Sequence, residues 1–309
     1  MTIKNLVISG GGSTGFISYG AIKQMNIDKF WELKNIESIF ASSIGSFIGF
    51  VISLGYDWET LDQYIIDRPW GKAFSTIQTD LLEVYKNKGI DGEEVLKICT
   101  SPLLRGKNLS ENITLIDLYK ATNIELCLIT TEVNLHKCLI GEVLSYKTAP
   151  NMTLNKALAA SQAFPMVFKP VVCEDKIYID GGVLHNFPLS ICLNMTKCKE
   201  NEILAFKNTW NSQFENNNLL GITSFMEYGA TIFNKFHCTL ESSKNQPEIK
   251  NKIESFISNQ THSFLKWWDI LENKEKRESL VNQGIEDAKR CSKKMLTDPK
   301  TDSECLCQV

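Results

Sequence analysis

A short apolar run, residues 4–9 (KNLVIS), stops at Gly10-Gly-Gly-Ser-Thr-Gly15, and a second apolar stretch, residues 16–25, follows with helical spacing. This strand, glycine loop and helix constrain the fold more than any other part of the chain. A strand that shows no alternation is buried on both faces, which points to a parallel sheet with helices above and below it. The glycines permit a tight turn and let successive backbone N–H groups point into one small space. The following helix adds the positive end of its dipole, so the loop suits a negative oxygen. As a lone pattern it also fits a dinucleotide fingerprint. That reading wants an acidic residue closing the second strand, where this chain has Ala41 followed by serines.

Residues 36–56 (IESIFASSIGSFIGFVISLGY) have the length of a membrane span, but Glu37, several serines and Gly45, Gly49 and Gly55 argue against a lipid-facing helix. They divide better into a strand over 38–41, a turn at Ser42-Ser43, and a helix over 44–54 ended by Gly55. Ser43 then sits on a sharp strand-to-helix turn with its hydroxyl exposed beside a helix N-terminus, and Ala41 and Gly45 keep the turn free of bulk. Ser42 competes for that role but lacks a small residue two positions later, where Ile44 stands. Alone, Ser43 would read as an ordinary helix N-cap.

Further along, residues 57–121 carry helical periodicity, broken at Gly89-Ile-Asp-Gly92. Residues 125–130 and 142–146 read as strands, Thr153 caps a helix over 154–164 that Pro165 ends, and 171–173 with 176–179 form a hairpin around Glu174-Asp175. Residues 203–206 give one more strand. The alternation of strands and helices predicts a three-layer α/β/α fold with a mainly parallel central sheet. A catalytic domain over residues 1–210, a helical extension over 211–292 packed on it, and a mobile tail over 293–309 complete the expected organisation.

Composition narrows the function. The 309 residues carry a net charge of -3, with 33 Lys and Arg against 36 Asp and Glu, so the electrostatic footprint of a nucleic-acid binder is missing. No secretory leader is visible at the start, which makes most of the ten cysteines buried apolar residues in a reducing, cytoplasmic setting and not a disulfide framework. They form no CxxC pair and do not cluster with His136, His185, His237 or His262, so neither a metal nor another cofactor is expected.

The third chemical feature is Asp180-Gly181-Gly182, a carboxylate at the end of a strand, followed by glycines that let a neighbour approach. An Asp-Gly pair alone would read as a turn. Together, the loop, Ser43 and Asp180 supply what ester hydrolysis needs: a nucleophile, a proton acceptor, and donors aimed at the developing oxyanion. An α/β-hydrolase triad would need a histidine from the later part of the chain, and His237 and His262 are the candidates. His185 lies five residues past Asp180 and is placed to line the site.

Over residues 4–189 the chain resembles the patatin-like phospholipases, lipid acyl hydrolases with a Ser–Asp dyad. The resemblance rests on ISGGGSTG (8–15), ASSIGS (41–46), ALAASQAFPMVFKPV (157–171) and IYIDGGVLHNFPL (177–189). It implies Ser43 as nucleophile and Asp180 as base. It also implies an oxyanion hole from the N–H groups of Gly10, Gly11, Gly12 and Ser13, with Gly15, Ala41, Gly45, Gly181 and Gly182 supporting the turns. Two positions depart from the family pattern: Thr14 replaces a usual Arg or Lys, and Ala41 the first elbow glycine. The substrate expected is a fatty-acyl ester in a membrane or micelle, contacted peripherally; a neutral lipid or simple ester, or silent lipid binding, are the alternatives. Phe225, Met226, Phe233, Phe236 and Trp267-Trp268 are candidates for an interfacial face.

Overall fold

The computed structural model describes residues 2–75, 77, 81–210, 228, 232, 235–236, 239–240, 247–257 and 264–297. Its first elements are strand β1 (Asn5–Ile8), helix α1 (Gly15–Ile27), strand β2 (Ser38–Ser42) and helix α2 (Ile44–Ser53). A helical stretch follows with α3 (Trp58–Asp62), α4 (Trp70–Phe74), α5 (Leu81–Asn87), α6 (Gly92–Gly106) and α7 (Leu115–Thr122). Then come β3 (Glu125–Glu132), β4 (Ile140–Leu144), α8 (Leu154–Gln162), β5 (Val171–Cys173), β6 (Lys176–Asp180), α9 (Gly182–His185), α10 (Leu189–Thr196) and β7 (Ile203–Trp210). The last elements are β8 (Lys252–Ile257), α11 (Phe264–Glu272) and α12 (Lys274–Thr297).

One sheet holds all eight strands in the order β5-β6-β3-β2-β1-β7-β8, with β4 also paired to β3. β3, β2, β1, β7 and β8 are parallel neighbours, β4 and β6 run against them, and β5, antiparallel to β6, points the same way as the parallel set. Side chains alternate between faces, as a pleated strand requires. Leu6, Ile8, Ile39, Ala41, Leu126 and Leu128 join a large core under α1, α2, α6 and α8. Val7, Phe40, Cys127 and Ile129 pack against Phe187, Leu189 and Cys192 on the opposite face. The sheet is thus covered on both sides, as the unbroken apolar strands anticipate.

Several boundaries differ from the sequence reading. The strand expected over 142–146 runs from Ile140 to Leu144, because Ser145 starts a turn in which its N–H donates to Thr148 Oγ1. α8 ends at Gln162, two residues early, and Thr153 stands at its N-cap without a side-chain bond. The segment read as a helical extension also supplies a strand, β8, which extends the parallel sheet beyond β7. α12 runs through Lys293 to Thr297, so the first residues assigned to a mobile tail are helical, and 298–309 lie outside the described residues.

α12 explains why α1 has so little polar surface: the two helices lie backbone to backbone. A Cβ on Gly20 would fall 2.1 Å from the Val281 carbonyl oxygen, and one on Gly284 1.9 Å from that of Ile17. Replacing a helical glycine by alanine ordinarily favours the helix by roughly 1 kcal/mol. Here Gly284→Ala must push the helices apart, and we expect a net destabilisation of about 1–3 kcal/mol. A urea denaturation midpoint below that of the parent checks it.

Candidate active site

The site forms where two strands meet end to end along a third. β2 runs beside β3 and stops at Ser42, opposite Ile129. β6 approaches from the far end, antiparallel, and stops at Asp180, opposite Thr130. Ile129 and Thr130 are consecutive, so the residues ending β2 and β6 are neighbours. Ser43 Oγ donates to Asp180 Oδ2 at 2.7 Å. Asp180 therefore reaches the carboxyl edge of the parallel sheet on a strand that runs against β3.

Ser43 has φ 51° and ψ -131°, a conformation that costs a non-glycine residue on the order of 1–3 kcal/mol. Its neighbours hold it there. The Ser43 N–H donates to Ser161 Oγ at 3.2 Å, and that hydroxyl donates on to the Ile129 carbonyl at 2.7 Å. The Ser43 carbonyl accepts from the N–H and the hydroxyl of Ser46, and Gln162 Nε2 donates to that same hydroxyl. Gly45 permits the turn, since a Cβ there would lie 2.6 Å from the Ser9 carbonyl oxygen. Ser42, the competing serine, is fully buried, and its hydroxyl has no partner among the described residues.

The Asp180 side is equally fixed. The Asp180 N–H donates to the Ala163 carbonyl and the Gly181 N–H to that of Ser161, so the end of α8 touches both halves of the pair. Asp180 Oδ1 accepts the Gly182 N–H at 2.6 Å. A side chain at Gly181 would strike the Ile129 carbonyl, and one at Gly182 would crowd Asp180 Oδ1 and Asn186 Oδ1. Burial pushes the Asp180 carboxyl up to about 7, against the opposing pull of the Ser43 and Gly182 hydrogen bonds.

In the glycine loop, Gly10 is a correction. Its N–H donates to the Asn186 carbonyl at 3.0 Å and is not open to a ligand. Gly10 is needed because its Cα lies against Ser43: a Cβ would sit 2.9 Å from Ser43 Cβ. Gly11 (φ 146°) and Gly12 (φ 60°) have backbones that only glycine adopts without strain, and their N–H groups meet no acceptor among the described residues. Space beside Gly12 is open, Ser13 lies buried in the turn, and Gly15 lets α1 close on Ile44. Ala41 is fully buried at the end of β2.

Sequence reasoning missed the residue that anchors this loop. Asn208, on β7, is 6% exposed; its Nδ2 lies 2.9 Å from Thr14 Oγ1, 3.0 Å from Ser18 Oγ and 3.4 Å from the Gly10 carbonyl. Thr14, where the resemblance leads one to expect a cation, is fully buried, and its hydroxyl donates to the Gly11 carbonyl. No motif marks Asn208. Ser161 and Gln162 do lie in one of the resembling segments, with no role attached to them there.

Neither oxygen of Asp180 takes a hydrogen bond from a histidine among the described residues. His185 packs beside Gly141 of β4, while His237 and His262 lie outside the described residues, as do Phe225, Met226 and Phe233. Phe236 is exposed, Trp267 packs edge-on against Phe168, and Trp268 lies against Phe74 and donates to Glu272. No helix among the described residues is long and apolar enough to cross a membrane, and no three of their His, Cys, Asp or Glu side chains gather as a metal site.

A serine on a strained strand-to-helix turn, bonded to a buried carboxylate beside open backbone N–H groups, sits at the edge of the central sheet of a three-layer α/β/α protein. The patatin-like phospholipase family profile matches residues 6–193, and the chain belongs to that family. It is 30% identical over 196 residues to the "Probable lipid hydrolase 463L" of Invertebrate iridescent virus 6, covering 62% of this chain and 63% of that one. It is 27% identical over 189 residues to the "Uncharacterized protein R571" of Acanthamoeba polyphaga mimivirus, covering 61% of each. The match spans about three fifths of these relatives' length. Among solved structures, VipD from Legionella pneumophila gives a TM-score of 0.49 at 15% identity, covering 91% of this chain and 67% of that one. The type III effector ExoU gives 0.46 at 12% identity, covering 96% and 54%.

The pKa of Asp180 has a consequence for stability. In an unfolded chain the group titrates near 3.9, so folding with it ionised is penalised, and the penalty grows as pH rises from about 4 to 7 and then levels off. Asp180→Asn keeps an acceptor for the Gly182 N–H, turns an NH2 donor towards Ser43 Oγ, and removes that charge. We expect the variant to exceed the parent in stability at pH 8, by at most on the order of 4 kcal/mol, and the gap to close towards pH 4. Denaturant midpoints across that range check it.

Proposed function

We propose that this chain hydrolyses fatty-acyl esters of lipids, as a phospholipase A or lysophospholipase, through a Ser43–Asp180 dyad and an acyl-enzyme. The observation that carries the reading is the 2.7 Å hydrogen bond from Ser43 Oγ to a buried carboxylate beside the Gly11 and Gly12 N–H groups. Membership of the patatin-like phospholipase family supports the reaction class, and the name of the iridescent-virus relative points the same way.

In the first half-reaction Asp180 takes the Ser43 proton as Oγ attacks the ester carbonyl carbon. The carbonyl oxygen becomes negative and is held by the N–H groups of Gly11 and Gly12 with Ser13 beside them, at the N-terminal end of α1. The C–O bond to the glycerol side breaks, and Asp180 returns the proton to the leaving oxygen. In the second half a water gives its proton to Asp180 and attacks the acyl carbon. The fatty acid leaves, and the proton goes back to Ser43. A carboxylate at the ordinary value near 3.9 is a poor acceptor for an alcohol proton; at about 7 Asp180 is better matched, and about half of it is ionised at pH 7.

Ser43→Ala and Asp180→Ala should each lower hydrolysis of a phospholipid by about 10⁴-fold or more with the fold retained. Fluorophosphonate should label the parent and not Ser43→Ala. Because the base must be ionised, kcat/KM should fall about tenfold per pH unit below pH 7. Variants that cleave as fast as the parent would end this assignment. Ser161→Ala leaves the nucleophile in place but releases its N–H; we expect kcat to fall about 10–100-fold with KM little changed. Ser38→Ala, which removes an equally buried hydroxyl bonded to Asn5 far from the site, serves as the control.

A further inference from the structure

The β3–β4 connection carries a feature that the catalytic chemistry does not use. Residues 133–139 leave β3 at the sheet edge where Ser43 and Asp180 lie; in this short tip Leu135 is 49% exposed and Leu139 43%, and Ile140, which begins β4, is 38% exposed. Val172 on the adjoining hairpin is 59% exposed. Single exposed apolar residues are ordinary, but four on two neighbouring tips are not. The tips are tied together: Asn134 Nδ2 donates to the Asp175 carbonyl, Asn134 Oδ1 accepts the Ile177 N–H, and the Val133 N–H donates to the Ile177 carbonyl. The fully buried Glu132 fixes the root, its carboxylate accepting the N–H groups of Asn134 and Leu135. This is an apolar surface held rigid before anything binds.

Its distance from the dyad can be read from the register. Asp180 pairs with Thr130, and Ile140 with Glu132, two residues further out. At about 3.3 Å per residue the tip begins some 7 Å beyond the level of Asp180. Interfacial apolar elements sink about 5–10 Å into the boundary between head groups and acyl chains. With the tip at that depth, the dyad lies at the level of the glycerol esters.

Charge selects the kind of surface. Lys137 faces solvent on one tip and Glu174 and Asp175 on the other, and Lys176 is already paired with Glu142. Such a rim has no net positive charge to draw it to an anionic bilayer. We infer that the Leu135–Leu139–Ile140 tip, with Val172, is the docking surface for a zwitterionic phospholipid bilayer and holds the dyad at ester depth. This rests on the lipid-hydrolase reading above.

The test uses the full chain carrying Ser43→Ala, so that binding is measured without turnover, and phosphatidylcholine vesicles in a sedimentation assay. Adding Leu135→Asp with Leu139→Asp should weaken vesicle binding at least tenfold, since two buried leucines are lost. Lys137→Glu should leave binding unchanged, as should added salt or phosphatidylserine. With Ser43 intact, the double variant should cleave a short-chain phosphatidylcholine below its micelle concentration within twofold of the parent, while its rate on vesicles falls with binding. Unchanged vesicle binding overturns the inference, and so does an equal loss on monomeric and vesicle substrate. A change of oligomeric state with binding unaltered would assign the tip to a second copy of the chain instead. If the protein binds vesicles through the tip yet cleaves neither substrate, the hydrolase reading falls and the docking surface stands.

Discussion

The site depends on the ladder that β3 offers along one side. β2 occupies its first half in parallel, β6 its second half antiparallel, and the two abut at Ile129 and Thr130. Because both strands end there, two chain segments 137 residues apart are delivered to adjacent rungs, and their side chains need only local turns to meet. No loop has to be long or mobile for the hydroxyl to reach the carboxylate. The glycine loop joins by the same logic, since β1 lies beside β2 with Ile8 opposite Ala41.

What the ladder brings together, the end of α8 holds in register. Ser161 receives the N–H of the serine and, through its own carbonyl, that of Gly181, and the next carbonyl but one receives Asp180. The strained backbone at Ser43 and the ionised form of a desolvated carboxylate are both unfavourable, so the surrounding structure must over-determine them. Packing supplies that rigidity: the sheet is buried on both faces, and α1 is clamped between the sheet and α12.

Much of this was legible in the sequence, for physical reasons that can be named. The β1 loop and the β2 elbow announce themselves because an unbroken apolar run ending at glycine or serine has few alternatives in a parallel sheet. Other parts were hidden. The direction of β6 cannot be read from Asp180-Gly-Gly, which looks the same on a parallel strand or an antiparallel one. The resemblance places Gly10 among the oxyanion donors, because a motif says which N–H groups are near, not which is already bonded to Asn186. β8 alternates cleanly, Ile253, Ser255 and Ile257 inward, but its six residues lie among polar ones in the sequence. Asn208 has no local signal at all, since its role arises only when β7 is laid beside β1.

Asn208 has one more implication. The stretch shared with the family ends at residue 193, yet the amide that braces the loop comes fifteen positions later, on a strand inserted next to β1. The segment matched by the family profile and the structure that braces its glycine loop are therefore not coextensive here. A fragment cut at the end of the recognisable segment would keep every motif and leave one flank of β1 without its hydrogen-bonding neighbour.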